Sequence, residues 1–342
     1  MIEAFAAAEV VAFGVAAVVA WLVARNASRL GLQDVPNERS SHQSLTPRGG
    51  GLGIVAGVAA GTLVLAAAGI RPGKDLGVLL AGSAVVAALG AIDDRYSIRA
   101  RYRLAVQLAV AVAIVILIGG VDRFPLPAPL DVPLGWLAAP LAVVWLVSVT
   151  NFYNFMDGID GLAAGQTVAS CAGVAIAVWS AGAVELAVVL AAATLGFLLL
   201  NSPPARIFLG DIGSTSLGFT IAGLPLLAPA GGRSMALFGV AIGLTLFLLD
   251  PLETLVRRVR AGHRIGTAHR WHSYQRLALT RGRQRVVVLC LVFVGLVLSL
   301  GGGIAYRAPW LAWPLIALGI AAFAAERFLA GRTRDAAGLG PP

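Results

Sequence analysis

Apolar residues along this chain run in long unbroken blocks, not in the short alternations of a strand or the one-sided stripe of a water-soluble helix. Each block is close to the length that carries a helix across a bilayer core, about 20 residues. Eleven are predicted as spans: 3–24, 50–70, 75–93, 102–119, 133–151, 162–180, 184–201, 214–231, 235–256, 286–306 and 309–326. The seventh stops sharply, because Asn201-Ser202-Pro203-Pro204 cannot continue a helix. The pattern predicts an all-α polytopic membrane protein, a single transmembrane domain over 1–330 with a short tail at 331–342.

Composition strengthens that reading. Of the 342 residues, 58% are hydrophobic and 13% charged, against about 25% charged in an ordinary soluble domain. Glycine is plentiful, at 41 residues, and small residues let membrane helices approach closely. The first block has no basic region before it, carries Glu3 and Glu9, and is followed by Arg25 and Arg29, so it is read as a retained span and not a cleaved signal. Cys171 and Cys290 lie far apart in apolar runs, which argues against a disulfide framework or a cysteine metal site.

Charge supplies an orientation. With eleven spans, the loops at 25–49, 94–103, 151–161, 201–213 and 257–285 and the C-terminal tail share one side. Only Arg71, Lys74, Arg123, Arg233 and Arg307 lie on the other, which leaves 21 of the 26 Lys and Arg on the first. The positive-inside rule makes that side cytoplasmic and places the N-terminus outside. The net charge of +9 follows from this asymmetry and from attraction to anionic lipid and phosphorylated substrates. Nucleic acid is not implied, since no basic domain exists outside the membrane.

The candidate chemistry lies on that same side. The first inner loop reads Asp34-Val-Pro-Asn37-Glu-Arg39-Ser-Ser-His42, then Thr46-Pro-Arg48-Gly49-Gly50-Gly51. It serves either as a turn-rich linker or as a phosphate grip made by Arg39, His42, Arg48 and glycine N–H groups. Asp93 and Asp94 close the third span, followed by four arginines that include Arg103. Adjacent carboxylates at a helix C-terminus repel each other and oppose the macrodipole. Arginines or a hard divalent cation such as Mg²⁺ would offset that. The fifth span runs into Asn151, Asn154, Asp157 and Asp160, of which the first three stack at i, i+3 on one helical face. Border carboxylates of this kind are functional candidates by default. Asp211 sits between glycines in Phe208-Leu-Gly-Asp-Ile-Gly-Ser214, as an N-cap or as a metal ligand. The last and longest inner loop carries His269-Arg270-Trp-His272, which without a third ligand is better suited to clamp a pyrophosphate than to bind zinc. Asp250 and Glu253 are expected to pair structurally with Arg257 and Arg258.

With these motifs in hand, the chain resembles the polyprenyl-phosphate N-acetylhexosamine-1-phosphate transferases, glycosyl transferase family 4. The likeness runs from Asp34 to Arg276 through five ordered motifs: DVPNERSSH with TPRGGG, the DDR at 93–95, NFYNFMDGIDGL, FLGDIGS and the His-Arg-x-His loop. The resemblance implies a transmembrane catalytic domain with its active site on cytoplasmic loops of the inner membrane. It implies that Asp93 and Asp94 act at the acceptor phosphate, with Asp157 also catalytic, and that Asn154 and Asp211 hold Mg²⁺, with Mn²⁺ as a substitute. Asn151, Asp160, Arg39, His42, Arg48, Arg103, His269, Arg270 and His272 fall on substrate-binding positions, Arg103 where some relatives carry lysine. The implied substrates are a UDP-N-acetylhexosamine, UDP-N-acetylglucosamine by default, and undecaprenyl phosphate. The final loop departs from the phospho-N-acetylmuramoyl-pentapeptide branch, which has a run of histidines, and looks like the branch that starts O-antigen or teichoic-type glycans. A homo-oligomer is compatible with all of this. The rival of a different class is a transporter or flippase, but the polar residues lie in loops and no inverted repeat is visible. The longest inner loop, 257–285, is also too short for a soluble nucleotide-binding unit of about 30 residues, so a nucleotide donor would have to be held at the bilayer surface.

Overall fold

The computed structural model describes residues 1–34, 45–177, 179–262, 271–281 and 284–331. Arg39, His42, His269, Arg270 and the tail from 332 lie outside the described residues.

The chain is helical almost throughout, as an apolar backbone in lipid must be to satisfy its own N–H and C=O groups. In chain order the helices are α1 (Ile2–Leu30), α2 (Gly51–Ala67), α3 (Lys74–Tyr96), α4 (Ala100–Ile118), α5 (Ala138–Met156), α6 (Leu162–Ala177), α7 (Ala181–Asn201), α8 (Gly210–Gly223), α9 (Arg233–Gly243), α10 (Thr245–Arg260), α11 (Ser273–Arg281), α12 (Gln284–Ala305) and α13 (Ala312–Gly331). Gln33–Asp34 pairs antiparallel with Thr46–Pro47, the one sheet contact of named strands among the described residues.

All eleven predicted blocks are helical. Among the described residues, seven helices are long and apolar enough to cross a membrane, or eight if the pair 210–227 and 230–243, bent by 117°, is one span. The other predicted blocks fall below that length for visible reasons. Helices α2 and α6 have 17 and 16 residues. The eighth block passes into a 3-10 turn at Leu224–Leu227, and the ninth is split between α9 and α10 at Leu244.

The bundle packs through small residues. Ala8, Ala12, Ala16 and Ala20 form a fully buried row on α1 that meets Gly53, Gly57 and Gly61 of α2, the close approach small residues allow in lipid. Many other large apolar side chains face outward: Ile116 is 75% exposed, Leu199 63% and Phe293 64%. Such an apolar exterior suits hydrocarbon, not water, and the protein is an all-α polytopic membrane protein.

Candidate active site

Three helix ends meet at one end of the bundle: the C-termini of α3 and α5 and the N-terminus of α8. Gly90 lets α3 and α8 touch, because a Cβ there would collide with the carbonyl of Asp211. Gly210 opens α8 with φ of +74°, a left-handed conformation that glycine adopts without strain.

The two adjacent aspartates of α3 do different work. Asp94 is 3% exposed, and its carboxylate accepts the N–H groups of Asp211 (3.0 Å) and Ile212 (3.1 Å). It therefore caps α8 from a neighbouring helix, where a negative charge also complements the helix dipole. Asp93 accepts the N–H of Ile98 at 2.6 Å and the guanidinium of Arg103. The same Arg103 nitrogen reaches Asp211 Oδ2 at 3.1 Å. One cation thus bridges two carboxylates.

Helix α5 supplies the third wall. Asn154 donates to Asp211 Oδ1 (2.6 Å) and to Ser214 Oγ (2.8 Å). Asn151, one turn earlier, donates to Gln107 of α4 at 2.8 Å. Asp157 follows the last helical residue and is half-buried. Among the described residues its carboxylate has no hydrogen-bond or ion-pair partner. Burial, and then the charges of Asp211, Asp94 and Asp160, push its pKa well above the usual carboxylate range.

The first inner loop is docked on this centre by its backbone. Phe208 N–H donates to Pro47 O, while Gly50 and Gly51 N–H donate to Phe208 O and Leu209 O. Arg48, half-buried, donates to the carbonyl of Asp94. These glycine N–H groups, read from sequence as anion donors, are spent on fixing the loop to Phe208–Leu209. Asp160 sits at the edge, where its carboxylate accepts Ala205 N–H at 3.0 Å and pins the loop between α7 and α8. His272 is buried behind α5, its Nδ1 3.4 Å from Asp250 Oδ1.

So Asp93, Asp94, Arg48, Arg103, Asn151, Asn154, Asp157 and Asp211 converge, with Asp160 and His272 flanking them. Ser214 and Gln107 join the site without having been singled out. Gln107 is a polar side chain inside an apolar block, a signal that could have found it. Glu253 pairs with Arg257 (3.4 Å), as expected, and also with Arg327 (2.8 Å). Asp250 makes no such pair and turns to α11 instead. Among the described residues no three His, Cys, Asp or Glu side chains gather as a metal cluster. The groups that could hold a hard cation are the carboxylates of Asp93 and Asp211 and the amide oxygen of Asn154. That set fits an ion such as Mg²⁺, which is held by one or two carboxylates together with waters and substrate phosphates.

The model of "Glycosyl transferase family 4" matches residues 76–228, a stretch that contains Asp93, Asp94, Asp157, Asp160 and Asp211. A probable undecaprenyl-phosphate N-acetylglucosaminyl 1-phosphate transferase of Bacillus subtilis is 36% identical over 82% of this chain and 78% of its own. A decaprenyl-phosphate N-acetylglucosaminephosphotransferase of Mycobacterium tuberculosis is 31% identical over 79% of this chain and 75% of its own. A phospho-N-acetylmuramoyl-pentapeptide-transferase of Halalkalibacterium halodurans is 31% identical over 76% of this chain and 84% of its own. The family match includes every acid gathered at the site, the relatives align over most of the chain, and the chain belongs to glycosyl transferase family 4.

Proposed function

We propose that this protein transfers N-acetylhexosamine-1-phosphate, N-acetylglucosamine-1-phosphate by default, from a UDP-sugar to undecaprenyl phosphate and releases UMP. The observation that carries the reading is the convergence of Asp93, Asp211, Asn154, Asp157 and Arg103 at one end of a lipid-embedded bundle. Relatives named for this reaction share most of the chain. The site end faces the cytoplasm of the inner membrane, a placement supported by the gathering of arginines in its loops.

An oxygen of the lipid phosphate attacks the β-phosphorus of the donor. The bond between that phosphorus and the bridging oxygen breaks, and UMP leaves with the electron pair. One phosphoanhydride replaces another, so the reaction needs positioning and charge neutralisation more than driving force. Arg103 neutralises Asp93 and Asp211 and keeps a cation beside the reacting phosphates. Asp94 fixes Asp211 by capping α8. Asp157, without a partner among the described residues and with a raised pKa, is suited to take a proton from a lipid phosphate that arrives protonated. Mg²⁺, held by Asp93, Asp211 and Asn154, would neutralise charge on the diphosphate, and Mn²⁺ would substitute for it.

Purified protein is to be given undecaprenyl phosphate, Mg²⁺ and a panel of UDP-N-acetylhexosamines that includes UDP-N-acetylmuramoyl-pentapeptide. UMP release that needs both lipid and metal supports the reading, and the responding donor identifies the sugar. Release with the pentapeptide donor alone moves the protein to the cell-wall branch. Silence from folded protein with every donor overturns the reaction, and a phospho-enzyme trapped with donor alone overturns direct attack.

A further inference from the structure

Another buried acid stands behind the site, on an element that the reaction scheme above does not use. Asp250 of α10 has no solvent exposure. Its Oδ1 accepts from Ser273 N–H (3.1 Å) and from the Thr254 hydroxyl (3.1 Å), and its Oδ2 accepts from Tyr274 N–H (3.3 Å). With His272 Nδ1 at 3.4 Å, the carboxylate faces the first residues of α11 and the one before them. A buried carboxylate is costly, and an apolar residue of the same size often serves stability as well or better. Helix packing alone therefore does not account for it.

Tyr274, itself fully buried, continues the line. Its hydroxyl donates to the carbonyl of Phe155 at 2.8 Å. That carbonyl lies in the last turn of α5, where helix carbonyls lack partners within the helix. Phe155 stands next to Asn154, which holds Asp211, and two residues before Asp157. Burial keeps the Tyr274 hydroxyl protonated, with its pKa well above the ordinary phenol value, so it remains a donor throughout the range in which an enzyme is assayed. A continuous set of contacts thus runs from Asp250, through the Tyr274 backbone and side chain, to the end of α5.

We propose that Asp250 and Tyr274 are positioning residues for the transfer reaction. They clamp α11 to the last turn of α5 and so fix Asn154 and Asp157 against Asp211. The inference rests on the function proposed above and adds to it the group that sets the angle of the α5 arm. Both residues are fully buried, so they are expected to act on the rate of the chemical step and not on substrate affinity.

The test is steady-state kinetics on the full-length protein with the donor found active, comparing wild type, Asp250→Asn, Tyr274→Phe and the double variant. Misplacing a reacting group by about 1 Å costs up to about a hundredfold. Each single variant is therefore expected to lose about ten- to a hundredfold in kcat per folded protein. KM for the donor and for the lipid should stay within about twofold. The double variant should fall no further than the worse single one, since both act through one contact. Amide exchange over residues 151–160 should be faster in Tyr274→Phe than in wild type, a readout that does not depend on turnover. Unchanged kcat in Tyr274→Phe, losses that multiply in the double variant, or unchanged exchange would each overturn the proposal, even if Asp250→Asn fails to fold. A silent wild type would indict the reaction instead, and the exchange measurement would still decide the clamp.

Discussion

The two ends of the bundle both carry acids and arginines, and they use them differently. At the end away from the site, Arg123 meets Asp131 at 3.1 Å with side chains 46% and 40% exposed. Ser234 takes up the carbonyl of Arg123 nearby. Each of these two side chains meets the other and is otherwise open at the surface. At the site end, Arg103 alone serves both Asp93 and Asp211, Asp94 is buried at 3% exposure, and Asp157 has no partner among the described residues. The first arrangement is an exposed ion pair of the kind that contributes about 0–1 kcal/mol. Among the described residues, the second gathers more carboxylates than cations to pair with them, a cost the fold would shed unless cationic or phosphorylated ligands made use of it.

That contrast can be broken by substitution. The largest effect is expected for Asp211→Asn, which removes the carboxylate shared by Arg103 and Asn154. UMP release should fall by about a thousandfold, the loss typical when a group stabilising developing charge is removed. Activity near wild type would withdraw Asp211 from the metal and phosphate site. Asp157→Asn should lower kcat by about a hundredfold and move stability the other way. Its folded pKa lies above the unfolded value of about 4, so ionising it costs the folded state. That cost is absent below pH 4, grows as pH rises through the unfolded value toward the folded one, and is complete above the folded one. The Asn variant should therefore melt higher than wild type, by about 2 °C, at neutral pH, with no gain at pH 4. A lower melting temperature at neutral pH would contradict the crowding of carboxylates.

A smaller effect is expected for Asp94→Asn, which keeps the shape of the α8 cap but loses its charge and one of the two oxygens that accept from Asp211 and Ile212. Thermal unfolding should show a loss of about 1–2 kcal/mol, and kcat a loss of about tenfold. Equal losses of activity in Asp94→Asn and Asp93→Asn would erase the distinction between a capping and a reacting acid. Smallest of all is Arg123→Ala at the opposite end, with activity within about twofold and a stability change inside about 1 kcal/mol. A larger drop in turnover would mean that the two ends are coupled.

Much of this was legible in the sequence because it is local. Apolar blocks mark the helices, and the i, i+3 spacing of Asn151 and Asn154 places both on one face of α5 before any packing is known, whereas Asp157, expected on the same face, falls just past the end of the helix. The uses of those groups depend on what comes from elsewhere in the chain. Asp94 caps a helix that begins more than a hundred residues later, which no neighbouring residue signals. Asn151 and Asn154 share a face and still serve different helices, α4 and α8, because the bundle divides that face between two neighbours. Asp250 looked like a partner for the arginines two turns along, and Glu253, one turn from Arg257, took that place because α10 turns Asp250 toward α11. The breaks in the eighth and ninth blocks were also hidden. Hydropathy records how apolar a segment is, and the bend between 210–227 and 230–243 changes direction without changing polarity.

The central claim is that the acids gathered at the ends of α3, α5 and α8 form the reaction centre. The most direct test is UMP release by purified wild type and Asp211→Asn side by side, with donor and undecaprenyl phosphate, across a titration of Mg²⁺. The account predicts metal-dependent release by the wild type and background release by the variant at every metal concentration. Equal release by both proteins, or release that ignores the metal, would contradict it.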